Sequence, residues 1–209
     1  MRRIVLLSLF LTHIPLHSYA APSDDALTVL NSLSVKGRAA KTGYSRAQFT
    51  HWSDLDRNGC DARNDTLKRD LTALVFKVGT RDCKVITGSL LDPYSGKVIT
   101  FSSTKSTIDI DHVVALSNAW QTGAAYFDKT KRQQIANDPL NLLAVDFTLN
   151  RQKGDGDAAT WLPPLKSYRC DYVSRQVAVK VKYGLWVTQP EKDAIVKILE
   201  KCVGQKIPN

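Results

Sequence analysis

The sequence predicts an α+β fold: a ββα unit with surrounding helices and a short β-hairpin region. Three observations carry this. The runs "STIDIDHV" and "NLLAV" have strand character, and each is followed by a helical run. "CKVITGSLLDPYSGKVITF" alternates around turn residues, as a hairpin does. The tail, "CDYVSRQVAVKVKYGL" then "TQPEKDAIVKILEKCV", reads as two helices.

Taken in order, Met1-Arg2-Arg3, the apolar run "IVLLSLFLTHIPL" and the ending "HSYA" form a secretory signal peptide over residues 1–20. The run is short and broken by His13 and Pro15, which does not suit a membrane span. Residues 21–209 are then one exported domain, secreted or periplasmic. Leu27, Leu30 and Leu33 give a short helix after an Asp-rich start. "DLDRNG" resembles the opening of a calcium loop, but the twelfth position from Asp54 is Asp65 rather than Glu. Asn58-Gly59 is therefore read as a turn. "NDTLKRDLTALVF" predicts a helix capped at Asn64 or Asp65, with Leu67, Leu71 and Leu74 at helical spacing.

The hairpin region turns at Thr87-Gly88 and again at Asp92–Gly96. A strand then runs to His112, and a helical run places Val113, Leu116 and Trp120 on one face. "TKRQQIAND" is a polar helical turn stopped by Pro139. "NLLAV" is a short strand, and "DFTLNRQKG" opens with a helical turn. Thr188 caps the last helix, with Pro190 in its first turn and Glu191 behind it.

Composition narrows the function. The formal charge is +9, and losing Arg2 and Arg3 with the leader takes it to +7, a balance that favours polyanionic partners. Cys60, Cys83, Cys170 and Cys202 are an even set in an exported chain; sequence order suggests Cys60–Cys83 and Cys170–Cys202. The absence of CxxC argues against a zinc ribbon, and the absence of GxSxG against a serine esterase.

Polar residues collect where the strands end and the helix begins. Asp111 and His112 close one strand, Asn141 opens the next, and Asn150 lies three residues before Lys153 on the following helix. A divalent metal, Mg²⁺ or Mn²⁺, suits this arrangement, with Asp111 and the Asn150 carbonyl as hard oxygen ligands. His112 is then a general base and Asn141 holds its imidazole. Asp109 shares the strand face of Asp111, as a supporting carboxylate or a solvated group.

"DIDHVVALSNAW…NDPLNLLAVDFTLNRQKGDGDAATWLPP" resembles the HNH, or His-Me finger, endonucleases, and within them an exported branch related to the C-terminal nuclease domain of GmrSD-type restriction enzymes. "GYSRAQFTHWSDLDRNGCDARNDTLKRDL" and "CKVITGSLLDPYSGK" extend the resemblance, which covers about residues 44–164 with a motif core over 109–155. It implies a ββα-metal core and metal-dependent cleavage of DNA phosphodiesters, with RNA left open. It implies Asp111 as metal ligand, His112 as base and Asn141 as the middle motif residue. Asn150 stands where many HNH enzymes have a metal-binding histidine, as in HNN-type members. Arg63 and Lys153 are the candidate phosphate contacts. The rival class is a nucleic-acid or cell-surface binding protein on a decayed nuclease fold. No base-reading module accompanies the motif, so low sequence specificity is expected.

Overall fold

The computed structural model describes residues 24–105 and 107–208; the expected signal peptide over residues 1–20 lies outside them. Helix α1 (Ala26–Ser32) starts where the Asp25 carboxylate accepts the Thr28 N–H, and it buries Ala26, Val29 and Leu30. Helix α2 (Ala62–Asp70) is capped by Asp61 rather than by Asn64 or Asp65. Asp61 is the residue with extended backbone, and its carboxylate accepts the Asn64 N–H at 2.8 Å. Asn64 instead uses its carbonyl to accept the Val85 N–H at 3.0 Å.

The leucine spacing after α2 misleads. The helix stops at Asp70, and strand β1 (Thr72–Phe76) pairs antiparallel with β2 (Val85–Leu91). Strand β3 (Val98–Ser102) completes the sheet in the order β1-β2-β3. Thr87-Gly88 is not a turn: the two residues pair with Ser102 and Phe101 in mid-strand. A Cβ at Gly88 would lie 2.9 Å from Leu71 Cδ2 and 3.3 Å from the Thr72 carbonyl, so close packing of β1 selects glycine there. The second turn is as predicted. The Asp92 carboxylate accepts the Ser95 N–H and, at 3.0 Å, the Asp146 N–H, which ties the hairpin to the next sheet.

That sheet is β4 (Ile108–His112) paired antiparallel with β5 (Leu142–Asp146), from Ile108 opposite Asp146 to His112 opposite Leu142. One face gives Ile108, Ile110, Leu142 and Ala144 to a cluster with Leu67 and Phe101. The other gives Leu143 and Val145 to a cluster with Tyr94, Tyr172 and Val177. Each fully buried aliphatic side chain contributes about 1.5–3 kcal/mol, and a one-residue slip would drive Asp109 and Asp111 into the first cluster. The register that aims the acids is thus fixed by its apolar neighbours.

Helix α3 (Leu116–Gln121) begins later than the predicted helical run, because Val113 and Val114 are still bonded to Asn141. Trp120 packs in a third cluster with Phe49 and Leu116. Helix α4 (Lys129–Asn137) ends before Pro139, and α5 (Phe147–Lys153) follows β5 directly, capped by Asp146. Helices α6 (Arg169–Tyr183) and α7 (Gln189–Leu199) form the tail, with the predicted capping box of Thr188 and Glu191 present. The disulfides are Cys60–Cys83 and Cys170–Cys202, as sequence order suggested. Among the described residues no helix is long and apolar enough to cross a membrane.

Candidate functional site

Alternation along β4 points Asp109 and Asp111 to the face covered by α5. On α5, Asn150 and Lys153 are one turn apart and meet these acids in register. Asn150 Nδ2 donates to Asp109 Oδ2 at 3.2 Å. Lys153 Nζ donates to Asp111 Oδ1 at 2.8 Å and to the His112 carbonyl at 2.9 Å. The Tyr94 hydroxyl donates to the other Asp111 oxygen. Burial and the adjacent Asp111 charge push the Tyr94 phenol well above its ordinary pKa, so it stays a neutral donor.

Asp111 is only 4 % exposed and Lys153 only 3 %. Lys153, expected to contact phosphate, instead directs its ammonium into the protein. The expected ligand pair, Asp111 and Asn150, shares one face but is divided between two partners, and the acid bonded to Asn150 is Asp109. Asp109, Asp111 and Asn150 carry oxygens of the type a hard cation such as Mg²⁺ accepts, but both Asp111 oxygens already accept hydrogen bonds and Asn150 turns its Nδ2 to Asp109. Among the described residues no group of three or more His, Cys, Asp and Glu side chains gathers as a metal site. A cation here would therefore be held by the amide of Asn150 as well as by carboxylates.

His112 points to the opposite face. Its Nε2 lies 2.9 Å from the Ala136 carbonyl, which can only accept, so Nε2 carries the proton of the neutral ring and Nδ1 keeps the lone pair. Burial lowers the His112 pKa from 6.5 to about 4, outweighing the Ala136 contact that raises it. The imidazole is thus a neutral base across the physiological range.

Asn141 does not hold this ring. Its Oδ1 accepts the Val114 N–H at 2.8 Å, and its Nδ2 donates to the carbonyls of Val114 at 3.3 Å and Ile135 at 3.2 Å. It fastens the chain leaving β4 to the end of α4, beside the Ala136 carbonyl that holds His112. The expected contact with the imidazole becomes an indirect one, made through backbone.

Three side chains escaped the sequence reading. Trp52 stacks on His112 with ring centroids 5.8 Å apart and planes 29° from parallel. The Arg63 guanidinium lies 5.9 Å from the Trp52 ring. Asn137 clamps the Trp52 segment, accepting the Ser53 N–H at 2.7 Å and donating to the Thr50 carbonyl at 3.0 Å. Thr50 (φ 38°) and Trp52 (φ 64°) are both held in the left-handed region, at an energy cost of order 1 kcal/mol each. Tyr94, read only as a turn residue, is the third. No local pattern signals these contacts, since Trp52 and His112 are brought together by the fold alone. Arg63 and Asp109 line one groove of about 280 Å³.

Comparison with known proteins adds two findings. Residues 61–198 match the family described as GmrSD restriction endonucleases, C-terminal domain. The chain is 39 % identical over 182 residues to an uncharacterized secreted protein of Arthroderma benhamiae, covering 86 % of each. No solved structure gives a significant match.

Proposed function

The chain belongs to the family of GmrSD restriction endonuclease C-terminal domains, and on that premise we propose that it is an exported, metal-dependent HNH-type endonuclease. Its substrate is the phosphodiester backbone of DNA, with RNA as a second class to be tested, and it cuts with low sequence specificity. The observation that carries this reading is the β4–β5–α5 unit. It brings Asp109, Asp111 and Asn150 to one face and ends its first strand in a histidine of fixed tautomer. Export is supported by the leader pattern, the two disulfides and a relative described as secreted.

In this reading His112 Nδ1 accepts the proton of the water that attacks phosphorus, while Ala136 holds the opposite edge of the ring. Asn141 positions that base by joining the two backbone segments beside it. Asp109, Asp111 and the Asn150 amide oxygen would hold Mg²⁺ or Mn²⁺, which would supply charge neutralisation for the phosphodiester and its leaving oxygen. Arg63 binds a neighbouring phosphate. Lys153 keeps Asp111 aligned by its paired ammonium.

That same ammonium favours the rival reading, a binding protein on a decayed nuclease fold, because it already neutralises one proposed ligand. Nicking of supercoiled plasmid separates the two. The endonuclease converts it to open circles with Mg²⁺ or Mn²⁺ and stops in EDTA; a binding protein leaves the plasmid supercoiled under every condition.

A further inference from the structure

We propose that the groove beside Asp109 is a seat for the phosphodiester backbone of one nucleic-acid strand, with Lys84 and Lys105 as its phosphate contacts alongside Arg63. This rests on the nuclease reading above and adds the path by which the strand reaches the site. Arg63, Lys84 and Lys105 line the groove together with Asp109, which is bonded to Asn150. None of the three cations forms a salt bridge among the described residues, and Lys84 and Lys105 are exposed. A low-dielectric groove rimmed by unneutralised cations focuses potential onto an anion.

The walls are built before any ligand arrives. Lys84 follows Cys83, whose disulfide to Cys60 anchors it beside the start of α2, where Arg63 sits. The Asn64 carbonyl accepts the Val85 N–H and closes the same junction. Lys105 lies in the turn between β3 and β4, held by its N–H to the Ser102 carbonyl at 3.1 Å. The larger cavity, about 590 Å³ near Arg69 and Lys182, lacks this character. Its Arg69 and Lys182 are already paired with Asp70 and Asp138, its Lys131 lies over the Phe127 ring, and Asp56 and Asp65 also line it. The smaller groove combines cations that form no salt bridge among the described residues with Asp109, the acid that Asn150 touches.

The test is the salt dependence of binding a DNA duplex of about twenty base pairs, measured by fluorescence anisotropy in EDTA. Each phosphate neutralised contributes roughly −0.9 to the slope of log K against log salt. Lys84→Ala with Lys105→Ala should make the slope shallower by roughly 2. Lys197→Ala with Lys201→Ala, exposed residues of the tail that do not line the groove, should leave it unchanged. If the wild type shows no measurable binding, or both double variants keep its slope, the groove assignment is overturned. If the slope changes as expected but the wild type never nicks plasmid, the groove stands and the nuclease reading falls. If the wild type nicks plasmid while the groove variant keeps the full slope, the nuclease reading stands and the groove falls.

Discussion

Two lysines of this protein lie buried against carboxylates, and the pairs do different work. Lys180 of α6 and Glu191 of α7 are enclosed between the tail helices. The Lys180 ammonium is 2.7 Å from Oε1 and 2.9 Å from Oε2 of Glu191, and only the second contact has hydrogen-bond geometry. It also reaches the Trp186 carbonyl at 3.0 Å, while Glu191 accepts the Thr188 N–H in the capping box. Burial pushes the Lys180 pKa down and the Glu191 pKa up, against their mutual attraction. Lys153 and Asp111 are equally buried, but Asp109, on the same strand face, bonds Asn150 and lines a groove at the surface. A buried ion pair by itself does not mark a site. What marks one is the company of oxygen donors with access from outside.

Removing one partner separates the pairs most sharply. Lys180→Met and Lys153→Met each leave a buried carboxylate unpaired, at a cost of about 3–5 kcal/mol. Thermal unfolding should show both losses in EDTA. Mg²⁺ or Mn²⁺ should raise the Tm of Lys153→Met more than that of the wild type, because the ion binds the native state and takes the place of the lost charge; about 2.7 kcal/mol is regained at a hundred times Kd. Lys180→Met should show no such gain. Equal metal responses would erase the distinction between the two regions.

Acid should sharpen it further. His112 adjoins the Lys153–Asp111 pair, whereas α6 and α7, which carry Lys180 and Glu191, have no histidine. The folded protein resists protonating His112, whose pKa falls from 6.5 to about 4. Its contribution is fully present above pH 6.5 and is lost as pH falls toward 4, for a total of roughly 3 kcal/mol. Denaturant unfolding in EDTA across this window should show the decline, and His112→Gln should flatten it.

The smallest effect concerns the stacked indole. Trp52→Ala should lower kcat roughly 10-fold to 100-fold with little change in KM, because it frees the base it covers. Trp52→Phe should recover most of the rate, since it restores an aromatic face to His112. Single-turnover cleavage of a labelled duplex measures both. A change confined to KM would make Trp52 a substrate contact instead.

How much of this was legible depended on distance along the chain. Strand β4 and the Thr188–Glu191 cap are local patterns, and the structure keeps them. Leu71 and Leu74 fit a helix by spacing, but pairing with β2 overrode that preference across Thr72–Phe76. Gly88 looked like a turn because the close approach of Leu71 cannot be seen from its neighbours. Lys153 reads as a phosphate contact from its place in the motif, whereas the docking of α5 on β4 buries it against Asp111. Asn141 was placed at the right junction with the wrong partner: its bonds go to backbone that the fold assembles around the imidazole.

In the proposed reaction His112 is the general base, its ring held between Trp52 and the Ala136 carbonyl. The most direct test of that role is the cleavage rate of purified His112→Ala on supercoiled plasmid with saturating Mg²⁺, beside wild type and with DNA binding measured on the same samples. The rate should fall by roughly 10²–10⁴-fold with binding retained. Cleavage at the wild-type rate, with the same metal dependence, would contradict it.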